Sequence, residues 1–159
     1  TIDDVDEAVV DNARFDIYRL VDTALSGDAA QTQRMFNRLQ DEGIEPVLLL
    51  WVLGRELRTL ASMAAECAEG SGRPSDSAVE QVMTRNRVWQ KRKPLIKKAL
   101  QRSGPRRWQG LVLVAARIDR VIKGQLAGNV RDELLQLCLA LAGVAVATGL
   151  QRSVAQARG

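Results

Sequence analysis

A chain of 159 residues, 46% hydrophobic and 26% charged, is long enough for one packed domain and short for two. It has no histidine, which excludes a serine–histidine–aspartate or cysteine–histidine catalytic unit and any histidine-ligated metal. Its two cysteines, Cys67 and Cys138, lie far apart in apolar helical sequence and build no zinc knuckle, Cys-x-x-Cys pair or disulfide framework, so a reducing, cytoplasmic location is expected.

Every element reads as helix, so the fold expected is an all-α bundle of about seven to eight helices. The chain opens Thr1-Ile2-Asp3-Asp4 without methionine or an apolar leader, and reads as part of a longer protein. Residues 1–10 start with a cap-like Thr-x-x-Asp and run acidic. Residues 15–25 carry apolar positions at 17, 18, 21, 24 and 25, with Gly27 as a stop. Asp28 is the expected N-cap of a helix over 29–41, with Met35, Phe36 and Leu39 inward. Glu45-Pro46 opens the longest helix, about 46–69, since proline at the first helical position has no N–H to lose. Its Leu50, Leu53, Leu57, Leu60, Ala64 and Cys67 form a 3-4 spaced seam. Leu48, Leu49, Trp51 and Val52 make its first two turns apolar nearly all round, which predicts enclosure by neighbours.

Residues 70–75, Gly-Ser-Gly-Arg-Pro-Ser, form the one obvious loop. Ser75 or Asp76 then caps a short helix with Val79, Val82 and Met83 inward. Further helices are expected over about 93–102, 106–123 and 130–141, punctuated by Ser103-Gly104-Pro105 and by a turn at 124–129. The most apolar run, 134–150, is shorter than the ~20 residues a membrane span needs.

The motifs of chemistry are missing. There is no Gly-x-x-x-x-Gly-Lys-Ser/Thr to cradle phosphates. The acids at Asp3, Asp4, Asp6, Glu7 and Asp11 do not follow calcium-loop order and read as a solvated helix N-terminus. No acid/base or nucleophilic constellation is present, so neither catalytic residue, metal nor cofactor is expected.

One segment is unusual. Arg85, Arg87, Lys91, Arg92, Lys93, Lys97, Lys98, Arg102, Arg106 and Arg107 fall between 85 and 107, and no acid occurs from Gln81 to Ile118. Because the whole chain is only +4, the remainder is net −6. Such a run is either a solvated face or a site for a polyanion, where each cation placed on a phosphate releases counterions. Trp89 lies inside it. An indole among cations can stack on an unpaired base, or it can be a core anchor between two short helices. Trp51 and Trp108 lie in phase with apolar seams and read as core or interface.

The order of several landmarks resembles the C-terminal domain of the bacterial DNA polymerase III delta subunit family. They are Phe15-Asp16-Ile17-Tyr18-Arg19-Leu20-Val21-Asp22 with Gly27-Asp28, then Glu42-Gly43-Ile44-Glu45-Pro46, then Gly54-Arg55-Glu56-Leu57-Arg58-Thr59-Leu60. Asn86-Arg87-Val88-Trp89-Gln90, Asp119-Arg120-Val121-Ile122-Lys123-Gly124 and a leucine-rich last helix follow. The resemblance implies a non-catalytic collar domain of the clamp loader, the ATP-driven pentamer that places a sliding clamp on primed DNA. It implies collar contacts with delta prime and gamma/tau subunits, contact with primer-template DNA, and clamp binding only through an N-terminal domain that is not in this sequence. It also implies a place in the bacterial replisome and no membrane role. On this resemblance, residues 1–12 are the last helix of a preceding lid domain, 13–142 the collar domain, and 143–159 a C-terminal tail. Trp89 is carried over as the aromatic residue near the template, with Arg85, Arg87, Gln90, Lys91 and Arg92 around it. A different reading remains beside it: an independent helical module that binds single-stranded or primed DNA.

Overall fold

A computed structural model describes residues 2–68 and 72–144, with side chains from residue 7 onward. These residues form seven α-helices and no strand. They are α1 (Ile2–Leu25), α2 (Ala29–Asp41), α3 (Pro46–Cys67), α4 (Asp76–Arg85), α5 (Lys93–Arg102), α6 (Pro105–Ile122) and α7 (Val130–Leu141). The all-α expectation is met, and most boundaries fall within a residue or two of those read from caps and periodicity.

The helix ends follow local chemistry. Asp28 accepts a hydrogen bond from the Gln31 N–H, Ser75 from the Ala78 N–H, and Asn129 from the Asp132 N–H, each satisfying an orphan donor of a first turn. Pro46 and Pro105 stand at the starts of α3 and α6. Gly27, Gly43 and Gly124 take positive φ just past α1, α2 and α6, the conformation that lets the last carbonyls be capped.

The two acidic and apolar stretches at the chain start are one helix. Nothing in Asn12-Ala13-Arg14 breaks it: there is no glycine or proline between Ile2 and Leu25. Its two halves differ in burial. Residues 7–16 are largely exposed, including Val9, Val10 and Phe15, while Ile17, Leu20, Val21, Ala24 and Leu25 are buried.

α3 is the hub, packing against α1, α4, α5, α6 and α7. Its most extensive partner is α6. Trp108 is buried and donates its indole N–H to the Ser103 carbonyl at 3.1 Å, so its polar edge is satisfied. The enclosure expected for the first two turns of α3 is incomplete. Leu49, Leu50, Val52 and Leu53 are buried, but Val47 is exposed and Trp51 is 45% exposed. The reason is geometric: α6 and α1 cover two sides of α3 and no described element covers the third.

Residues 69–71 of the glycine-rich loop and 145–159 of the tail lie outside the described residues. No described helix is long and apolar enough to cross a membrane.

A candidate nucleic-acid interface

The segment 86–92 between α4 and α5 carries the sequence-predicted site. α4 ends in a paired cap: the Arg87 N–H bonds the Thr84 carbonyl and the Val88 N–H bonds the Met83 carbonyl. That motif needs a left-handed residue at the first position past the cap, usually glycine. Here it is Arg87, with φ 54°, the only non-glycine residue at positive φ among those described. A side chain there costs about 1–2 kcal/mol relative to the right-handed region. Val88 is partly buried against the core. The chain then turns, with the Trp89 carbonyl accepting from the Arg92 and Lys93 N–H groups at 2.9 and 3.1 Å.

Trp89 therefore points away from the core. At 76% it is the most exposed large apolar side chain described, so among the described residues it is not a core anchor. It borders a cleft of about 770 Å³ between α1, α3 and the start of α5. Phe15 and Tyr18 of α1 and Met63 of α3 add apolar surface to this cleft, and Arg19, Arg55, Arg87 and Lys91 add cations. Such a lining offers ring faces to a base and positive charge to a backbone.

The ten cations of 85–107 are not equivalent. Arg85 pairs with Glu66 at 3.5 Å, Lys93 with Glu80 at 2.6 Å and Lys97 with Asp76 at 3.4 Å. Arg102 and Arg107 donate to the Leu141 and Ala140 carbonyls, where cations suit the C-terminus of α7. Acids from α1, α3 and α4 thus offset a run that looks unbalanced in sequence. Among the described residues, no carboxylate lies in ion-pair range of Arg87, Lys91, Lys98 or Arg106.

Arg92 differs from the other predicted site residues. Its guanidinium donates to Asp22 Oδ1 at 2.8 and 3.0 Å and to Glu56 Oε1 at 2.6 Å. Burial works to lower its pKa, but the charges and hydrogen bonds of Glu56 and Asp22 outweigh burial and leave it raised. The structure therefore brings Trp89, Arg87 and Lys91 together at the cleft as exposed groups, leaves Gln90 exposed but outside the cleft lining and Arg85 exposed at the end of α4, and commits Arg92 to α1 and α3. Arg19, Arg55 and Phe15 were absent from the sequence-derived site, because they come from elements 30 or more positions away and nothing local marks them. No group of three or more metal-ligating side chains is gathered among the described residues.

A helical bundle with a cationic, aromatic-edged cleft between its hub helix and a short connecting loop is the class these observations define. The family model for the C-terminal domain of the processivity clamp loader gamma complex of DNA polymerase III matches residues 17–148, starting where the buried face of α1 starts. The chain belongs to this family. It is 30% identical over 141 residues to DNA polymerase III subunit delta of Escherichia coli K12, covering 89% of this chain and 39% of that protein. It is 29% identical over 126 residues to DNA polymerase III subunit delta of Haemophilus influenzae, covering 77% of this chain and 36% of that protein. The chain thus spans less than two fifths of the length of these relatives.

Proposed function

We propose that this chain is a non-catalytic assembly domain of a clamp-loader delta subunit, and that its α4–α5 loop meets primer-template DNA while the clamp is loaded. Its partners are the neighbouring collar domains, delta prime and gamma/tau. Family membership supports the assembly role. So does the uncovered side of α3, where a groove of about 330 Å³ runs between α3 and α6 past Val47, Trp51 and Val112. Residues 13–142 are the collar domain on this reading. Residues 1–12 continue from a preceding lid domain, and 143–159 are a tail.

The observation that carries the DNA contact is the exposure of Trp89 beside Arg87 and Lys91, which no carboxylate among the described residues pairs with. Base stacking on an aromatic side chain contributes about 1–3 kcal/mol. The test is binding of primed DNA at two salt concentrations by the wild type and Trp89→Ala. The reading predicts affinity that falls with salt and is at least about fivefold weaker in the variant. Equal affinity in the variant rejects stacking. An independent DNA-binding module is the second reading, favoured by the presence of cations and aromatics within one chain. It requires binding by this chain alone at physiological salt, whereas the assembly reading needs the ring to supply the other contacts.

A further inference from the structure

Two carboxylates stand where a DNA site has no electrostatic use for them. Asp22 of α1 and Glu56 of α3 line the same cleft as Trp89 and its cations. Coulomb repulsion alone makes carboxylates near phosphates unfavourable. Both are bonded to Arg92, with side-chain exposures of 28% for Arg92, 9% for Glu56 and 38% for Asp22.

Arg92 also holds the backbone: its N–H donates to the Trp89 carbonyl at 2.9 Å. One residue thus ties the turn containing Trp89 to the two helices that wall the cleft. The other end of the segment is fixed separately. Asn86 Nδ2 donates to the Val82 carbonyl at 2.8 Å and to Glu66 Oε2 at 3.3 Å, and Val88 packs on the core. Trp89 is left standing between two anchored ends, and of these two anchors Arg92 is the one that bonds both α1 and α3.

We propose that Asp22 and Glu56, acting through Arg92, are positioning residues of the nucleic-acid site, holding residues 86–92 so that the Trp89 ring stands over the cleft before a base arrives. The proposal rests on the reading of Trp89 as a base-stacking residue. It assigns Arg92 to positioning and takes its charge out of the set that meets phosphates. Ordering the segment in advance removes a cost that would otherwise be met on binding.

Charge and positioning predict opposite signs, which makes the test direct. Asp22→Asn and Glu56→Gln each make the protein more positive, and electrostatics alone then strengthens DNA binding. Loss of the clamp weakens it: a segment competent about one third of the time raises the apparent Kd about threefold. Arg92→Lys sharpens the contrast, since lysine keeps a charge for a phosphate but cannot bridge both carboxylates with a planar fork.

The experiment measures binding of a fluorescein-labelled oligothymidine to the whole chain in the wild type, Trp89→Ala, Asp22→Asn, Glu56→Gln and Arg92→Lys. Asp16→Asn serves as a control, a carboxylate on α1 that does not touch Arg92. The same proteins are labelled with 5-fluorotryptophan, and the Trp89 fluorine resonance is recorded without DNA. The expected result is about threefold weaker binding in the three clamp variants, unchanged or tighter binding in Asp16→Asn, and a Trp89 resonance that moves only in the clamp variants. Circular dichroism checks folding. If Glu56→Gln unfolds, the more exposed Asp22→Asn decides. Tighter or equal binding in the clamp variants, with Trp89→Ala weakened, overturns the clamp and leaves stacking intact. Unchanged binding in Trp89→Ala overturns both. A Trp89 resonance unmoved in every clamp variant also overturns the clamp, whatever the affinities.

Discussion

Arg14 of α1 holds its guanidinium carbon 5.1 Å from the centre of the Trp51 ring on α3, and Arg55 approaches the same ring at 5.7 Å. The indole is held by two cations at the edge of the α3–α6 groove and is not sunk in a core. Exposed cation–π contacts contribute about 0.5–1 kcal/mol each, and the covered part of the ring, which is 45% exposed, adds the burial lost on truncation. Trp51→Ala is therefore expected to lower the stability of the chain by about 2–3 kcal/mol, read as a shift in the urea midpoint. If the groove is a subunit interface, the same change weakens incorporation into the complex about tenfold or more, as removal of an aromatic anchor does. Normal incorporation would locate the interface elsewhere.

Trp108 sits at the opposite extreme of burial. It is enclosed, with its N–H bonded to Ser103. Trp108→Ala leaves a large cavity and an unsatisfied carbonyl, and is expected to cost about 3–5 kcal/mol. Chemical denaturation measures it, and a loss under 1 kcal/mol would contradict the packing described.

Arg87 predicts a split between stability and binding. Its left-handed backbone is strained for any side chain, so Arg87→Gly should stabilise the fold by about 1 kcal/mol. The same change removes a cleft cation. Binding to single-stranded DNA should weaken, and the slope of log affinity against log salt should fall by about 0.7. A stabilised variant with an unchanged slope would place Arg87 outside the contact.

The cysteines predict an alkaline limit. Burial pushes the Cys138 thiol up to about 12 from its ordinary 9.0, while burial and then Glu66, against Arg85, raise Cys67. A raised thiol pKa means that the unfolded state ionises first. The stability Cys138 contributes is complete below about pH 9 and is lost as pH rises toward 12. The drop in urea midpoint between pH 8 and pH 10 should be smaller in Cys138→Ala than in the wild type. An equal drop would exclude this thiol as its source.

Helices were legible in the sequence because caps and periodicity are local. Asp28, Ser75 and Pro46 mark starts, and Gly27 and Gly124 mark stops, through chemistry confined to a few residues. Burial was legible only where the seam was narrow. For Met35, Phe36 and Leu39 one stripe faced one core. For Trp51 the apolar surface wrapped round the helix, and periodicity could not say that one side has no neighbour among the described residues. The same limit applied to charge. Arg92 looked like its neighbours, because its partners Asp22 and Glu56 lie 70 and 36 positions away. Trp89 was marked by its basic surroundings, whereas Phe15, Arg19 and Arg55 join its cleft only through helix packing.

Co-purification with the other clamp-loader subunits, with and without primed DNA, tests the central claim most directly. The account predicts that the chain is retained by the complex, that Trp51→Ala reduces retention, and that primed DNA increases retention of the wild type more than that of Trp89→Ala. A chain that is not retained under either condition, or whose retention rises equally with DNA in Trp89→Ala, would contradict it.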